Sequence, residues 1–281
     1  DYETVIETVT NHIEDHPNGG QLVGLRACAR VMKGDFTEAS QDADQAILLD
    51  PGRNCGWTYI ARGLLELNCG APRKALIEFD SASKLEANCA LLFAKKAECE
   101  ILINDIQSCE ASLKKVFDLE KDNDLARIVQ AELFLKEKKS EEALKLVREV
   151  LESRKAKDNV YAKLIELIAL HDLQNDELNN EVSDLTSLAD KKIASVSKSN
   201  SKYSKYDIAR LNTAKGYGCL FSKKADEACA YFEKALNMMP DQAIALEGLL
   251  NALKSTGKLE ESKKVSLRLK KLSGDRIVDN D

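Results

Sequence analysis

The feature that most constrains this chain is a period. Shifted by 34 positions, residues 1–17 (DYETVIETVTNHIEDHP) fall on residues 35–51 (DFTEASQDADQAILLDP). Asp1 meets Asp35, Tyr2 meets Phe36, Val5 meets Ala39 and Pro17 meets Pro51. Ala39 echoes at Ala75, with two extra residues in the intervening NCGAP loop. The spacing then runs 34 to Cys109 and 34 again to Ala143, and Ala228 and Ser262 are also 34 apart. Aromatic and small residues keep fixed offsets, as in Phe79 and Ala82 after Ala75, and Phe232, Ala235 and Pro240 after Ala228. A fixed period of this length is what a stack of helix–turn–helix units produces.

The residue types fit that reading physically. Two antiparallel helices approach closely only where small side chains face each other, so alanine or glycine recurs at the crossings. Gly34, Gly70 and Gly257 suit the tight turn inside a pair. Pro51 and Pro240 stop second helices, because proline cannot continue a helix interior. With 44% hydrophobic residues, 5% aromatic and 4 prolines, the composition favours helix throughout. The expected fold is all-α, a right-handed superhelical solenoid of antiparallel helix pairs.

Two stretches carry a family resemblance, WTYIARGLLELNCGAPRKALIEFDSASKLEAN (57–88) and TAKGYGCLFSKKADEACAYFEKALNMMPD (213–241). Trp57, Ile60, Ala61 and Leu64 in the first, and Gly216, Ala228, Phe232, Ala235 and Pro240 in the second, resemble the pattern of the tetratricopeptide repeat. The resemblance extends over most of the chain and implies a scaffold that holds a peptide or helix of a protein partner in a concave groove lined by first helices. If Trp57 takes the family's packing position, the resemblance places Thr58, Arg62 and Leu65 toward that groove. It places Val23 and Arg30 there in the preceding copy, and Asn212 and Tyr217 in the later one. A subclass of the family grips acidic chaperone tails with Lys-x3-Asn and Lys-x3-Arg on successive first helices. No such Lys-x3-Asn stands on a first helix here, and Arg26–Arg30 is the nearest basic pair, so chaperone-tail docking is a minor alternative.

The repeat breaks after Ala143. The next copy should centre on position 177, which is Glu177, and Ala228 overshoots the second period by half of one. Leu164, Leu167, Ile168, Leu185, Leu188 and Ile193 keep helical spacing. The Ser/Lys-rich run SVSKSNSKYSKYD (195–207) reads as a polar insertion. The expected division is 1–17 as the second helix of a truncated repeat, 18–157 as regular repeats, 158–207 as a divergent repeat with a long helix and the insertion, and 208–281 as two repeats with a basic capping helix. Since 1–17 matches only a second helix, the chain is expected to be a segment of a longer array and part of a multi-subunit assembly, the alternative being that helix 1–17 is a native cap. Glu100 and Lys138 stand where strict copies carry apolar residues or glycine.

Charge is uneven. Residues 1–50 hold ten acidic and three basic side chains, and residues 254–276 hold eight basic and three acidic, within a net charge of -6. The basic end contains a helix with Val265, Leu269 and Leu272 inward and Lys263, Lys264, Arg268, Lys270 and Lys271 outward. RNA binding through this patch is the alternative function, weakened by the lack of interleaved aromatics for base stacking.

Nothing points to catalysis. The sequence lacks G-x-S-x-G, H-E-x-x-H, Walker A and G-x-G-x-x-G motifs. His12 and His16 are i,i+4 neighbours but suit a solvated helix end better than a metal site, and His171 is remote. The eight cysteines form no C-x-x-C and are read as free thiols. No cofactor or metal is expected. There is no apolar run long enough for a membrane span and no signal-peptide pattern, so a cytoplasmic or nuclear location is expected.

Overall fold

A computed structural model describes residues 1–16, 18–50, 55–85, 88–153, 156–196 and 204–272. Pro17, Pro51 and positions 197–203 of the polar insertion lie outside the described residues. Helix α1 (Tyr2–Asp15) comes first. Helix pairs follow: α2 (Gly20–Lys33) with α3 (Phe36–Leu49), α4 (Gly56–Asn68) with α5 (Pro72–Ser83), and α6 (Ala90–Leu102) with α7 (Ile106–Leu119). Next are α8 (Asp124–Lys136) with α9 (Ser140–Leu151), α10 (Val160–Asp172) with α11 (Leu178–Val196), α12 (Lys205–Phe221) with α13 (Ala225–Met238), and α14 (Ala243–Ser255) with α15 (Leu259–Leu272). Each helix packs on its pair partner, and each first helix also packs on the first helix of a neighbouring pair. The molecule is an all-helical solenoid of antiparallel pairs.

The small residues of the period lie at the crossings. Ala39, Ala75, Cys109, Ala143 and Ala228 are fully buried, each the fourth residue of its second helix. Val5 holds the same place in α1 but is exposed, because no first helix pairs with α1 in the structure. In α11 the equivalent residue is Glu181, four positions after the expected centre at Glu177. The turn before α11 is longer than the others, and Val182, Leu185 and Ala189 pack against the core instead.

The turns within the pairs share one geometry. Gly34, Gly70, Asn104, Lys138, Gln174, Lys223 and Gly257 all have positive φ, between 53° and 100°. Each closes the first helix with two backward hydrogen bonds. At Lys138, for example, its own N–H reaches Leu135 O (3.1 Å) and the Lys139 N–H reaches Phe134 O (2.8 Å). This satisfies carbonyls that a helix end leaves orphaned. Glycine and asparagine tolerate the left-handed conformation, whereas lysine and glutamine bring Cβ against the following carbonyl at about 1–2 kcal/mol. Lys223→Gly is therefore expected to stabilise the fold by about 1 kcal/mol, read as a higher urea midpoint. An unchanged or lower midpoint would contradict the strain assigned to this turn.

These turns also give a common reference point for comparing the copies. Every first helix but one begins at the same distance before its left-handed residue, and α12 begins about one helical turn earlier than that pattern. The added turn carries Tyr206. The coil then closes on itself: α4 touches α12, and α6 touches α14, across the inside of the superhelix. Arg73 Nε is 2.8 Å from Asp241 Oδ2 at the same closure. A side chain on Gly70 would place Cβ 2.4 Å from the Met238 carbonyl oxygen, so only glycine fits there.

Candidate functional site

The first helices turn polar residues into the axis of the coil. Glu98 on α6 and Glu132 on α8 occupy the same place in successive copies, one period apart, and both are buried. Their surroundings differ. The Arg210 Nη1 of α12 lies 2.7 Å from Glu98 Oε1 and Lys95 Nζ lies 2.9 Å from Glu98 Oε2, while the Tyr206 hydroxyl also donates to Glu98. Burial alone would raise the Glu98 carboxyl, but the charges of Lys95 and Arg210 and the Tyr206 hydrogen bond outweigh it and hold it at about 2. The guanidinium is sandwiched as well, 3.7 Å above the Tyr161 ring and 5.0 Å from that of Tyr206. This cluster plugs the centre of the coil.

Glu132 lies on the other side of the plug. The Tyr161 hydroxyl donates to its Oε2 at 2.5 Å. No lysine or arginine among the described residues is ion-paired with it. Burial pushes its carboxyl above the ordinary value, and the more distant charge of Lys136 opposes this only in part.

Beyond Glu132 a cavity of about 780 Å³ opens at the end of the coil where the first helices terminate. Its deep wall is Glu132, Leu135, Tyr217 and Ile244, all buried. Higher up, Lys136 Nζ bridges to Glu247 Oε1 at 2.8 Å, and the rings of His171 and Phe221 stack at 4.0 Å. The rim is polar, with Lys138, Asp172, Asn251 and Lys254 exposed. The space is concave and mixed, with apolar side chains such as Leu135, Ile168 and Ile244 set among charged and polar groups.

The residues that the family resemblance pointed into a groove are mostly placed elsewhere. Val23, Thr58 and Leu65 are 0%, 3% and 8% exposed, packed into the helix stack. Thr58 faces α2, where a Cβ on Gly24 would meet its Oγ1 at 2.7 Å. Arg30 is held 2.7 Å from buried Asp42 Oδ2, and Arg62 is held 2.9 Å from Glu78 Oε1. Asn212 is buried and donates to the Ile208 carbonyl at 2.8 Å. Tyr217 alone of the seven lines the cavity, its hydroxyl donating to the Ile244 carbonyl at 3.1 Å. The physical reason is local: Thr58 packs against the neighbouring first helix, Arg30 and Arg62 turn to acidic residues on the second helix of their own pair, and Asn212 bonds within its own helix.

On α15, Lys263, Lys264, Arg268, Lys270 and Lys271 are exposed, with Val265 buried on the opposite face. Lys263 pairs with Glu260 at 2.8 Å, and Arg268 donates to the Pro240 carbonyl at 2.7 Å. The cysteines are free thiols. His12 Nδ1 sits 2.8 Å from the Thr8 carbonyl within its own helix. No helix among the described residues is long and apolar enough to cross a membrane.

No protein-family model matches the sequence, and no curated protein matches it. Solved structures do resemble the fold. A chain in the crystal structure of the APC/C hetero-tetramer Cut9-Hcn1 aligns with a TM-score of 0.55 at 14% identity, over 90% of this chain and 46% of that one. A tetratricopeptide repeat protein from Parabacteroides merdae aligns at 0.46 and 17% identity, over 90% and 98% of the two chains. Yeast Tom70 aligns at 0.44 and 18% identity, over 96% and 55%. The present chain thus spans less than half the length of the Cut9-Hcn1 component it matches. The fold is that of the tetratricopeptide-repeat solenoids.

Proposed function

We propose that this chain is a non-enzymatic protein-interaction scaffold that receives a short segment of a partner polypeptide in the cavity at the end of its coil, as one part of a larger assembly. The observation that carries this reading is the cavity itself. This space is open and joins a buried wall of Leu135, Tyr217, Ile244 and the Glu132 carboxyl to a polar rim. Solenoids of this fold commonly bind through their curved inner surface. The matched component in the Cut9-Hcn1 structure belongs to a hetero-tetramer, which agrees with an assembly role.

A photo-cross-linking side chain at Asn251, on the cavity rim, is expected to capture a partner protein in cells. The same group at Leu48, exposed on the far side of α3, is expected to capture none. Equal capture at both positions, or capture at Leu48 alone, would reject the cavity as the partner site. Capture confined to Lys264 on α15 would favour the basic helix instead.

A further inference from the structure

The molecule contains its own example of how a carboxylate on the inner face of a first helix is satisfied. Glu98 receives a guanidinium, a tyrosine hydroxyl and an ammonium. Glu132, one repeat later at the same position, receives the tyrosine hydroxyl, from Tyr161 at 2.5 Å, and no ion pair among the described residues. Its nearest lysine, Lys136, is committed to Glu247 at 2.8 Å. Arg210 is taken up by Glu98, reaching Glu132 only through the Tyr161 ring on which it stacks, and Glu132 lines the cavity.

We propose that the cavity recognises an arginine side chain of the partner, with Glu132 as the carboxylate that receives its guanidinium. Several groups of the lining suit that ligand. Leu135, Ile168 and Ile244 offer an apolar sleeve for the three-carbon stem. Tyr217 and the stacked His171–Phe221 pair offer ring faces for the planar guanidinium, as Tyr161 does for Arg210. At the rim Lys138 and Lys254 are exposed and carry no ion pair among the described residues. They suit acidic residues flanking the inserted arginine. An anionic tip would instead have to sit beside the buried carboxylate of Glu132, where repulsion in a low-dielectric site opposes it.

This inference rests on the cavity being the partner site, and its test separates the two. The full chain, labelled at isoleucine methyl groups, is titrated with n-butylguanidinium and, separately, with n-hexanoate. The guanidinium is expected to give saturable shifts at Ile168 and Ile244, which line the cavity, and hexanoate none. Glu132→Gln keeps an acceptor for Tyr161 and is expected to weaken n-butylguanidinium at least tenfold. Ile168→Lys, which brings its own ammonium into the wall, is expected to abolish the shift at Ile244, the reporter it leaves in place, and stands in should Glu132→Gln not fold. Equal response to hexanoate, or affinity unchanged by both substitutions, overturns the arginine assignment even where a partner cross-links at Asn251. Guanidinium binding that depends on Glu132 supports it even where no partner is captured there, a result that would count against the scaffold reading alone.

Discussion

Arg210→Met is expected to lower stability by about 3–5 kcal/mol, the range for removing one member of a buried ion pair. The substitution keeps the length and apolar bulk of the stem but leaves the buried Glu98 carboxylate with Lys95 and the Tyr206 hydroxyl alone. The Glu98 carboxyl is held at about 2 against an ordinary 4.5 by Lys95, Arg210 and the Tyr206 hydroxyl together, so Arg210 supplies part of the folded state's preference for the charged form. Because the folded value is the lower one, this contribution is complete above about pH 4.5 and disappears as pH falls toward 2. Wild type and Arg210→Met should therefore converge in stability on acidification. Adding Glu98→Gln to Arg210→Met removes the stranded charge and should recover more than half of the loss at neutral pH. Urea unfolding of the three proteins at pH 7 and pH 3 checks this. A loss under about 1 kcal/mol for Arg210→Met, or a double variant no better than the single one, would show that the plug does not hold the coil closed.

That plug marks where sequence reading stopped. The period, the buried small residues from Ala39 to Ala228, and the turns at Gly34, Gly70 and Gly257 follow from local rules, since each depends on neighbours within one pair. Asn104, Lys138, Gln174 and Lys223 take the same left-handed geometry without glycine, so composition could not reveal them. Lys138 registered only as an irregularity, and so did Glu100, which is buried with its carboxyl raised to about 7, chiefly by burial. The groove expectations miss local ion pairs such as Arg30–Asp42 and Arg62–Glu78, and local rules also miss closure, which pairs residues more than a hundred positions apart, such as Glu98 with Arg210. A signal was present nonetheless. Glu98 and Glu132 put carboxylates at one inner position of successive first helices, and Tyr206 and Arg210 are i,i+4 neighbours on another first helix. Buried charge demands a partner, and the candidates were few.

The second large effect concerns the pair that delivers Arg210. Phe232 of α13 is fully buried, its ring edge-on to Tyr217 at 5.2 Å, in a slot between Gly216 on α12 and Gly248 on α14. A Cβ would approach the ring to 2.6 Å at Gly216 and 2.3 Å at Gly248, so the ring occupies the space those side chains lack. Phe232→Ala is expected to cost about 3–5 kcal/mol, because rigid helix backbones on both sides prevent the slot from collapsing. Gly248→Ala should destabilise by about 1–3 kcal/mol through overpacking, although alanine is the better helix former by about 1 kcal/mol. In a Phe232→Leu background the same Gly248→Ala change should become stabilising, since the clash is gone and the propensity gain remains. A sign reversal of this kind, measured as a double-mutant cycle, isolates the ring–glycine contact, and additivity within about 0.5 kcal/mol would refute it. In an open array such damage stays near the altered repeat, because each unit touches only its neighbours. Here α12 also touches α4 and ties to α6 through Glu98. Amide exchange in Phe232→Ala should therefore accelerate in α6 as well as in α12–α14, linking positions that an open solenoid leaves independent.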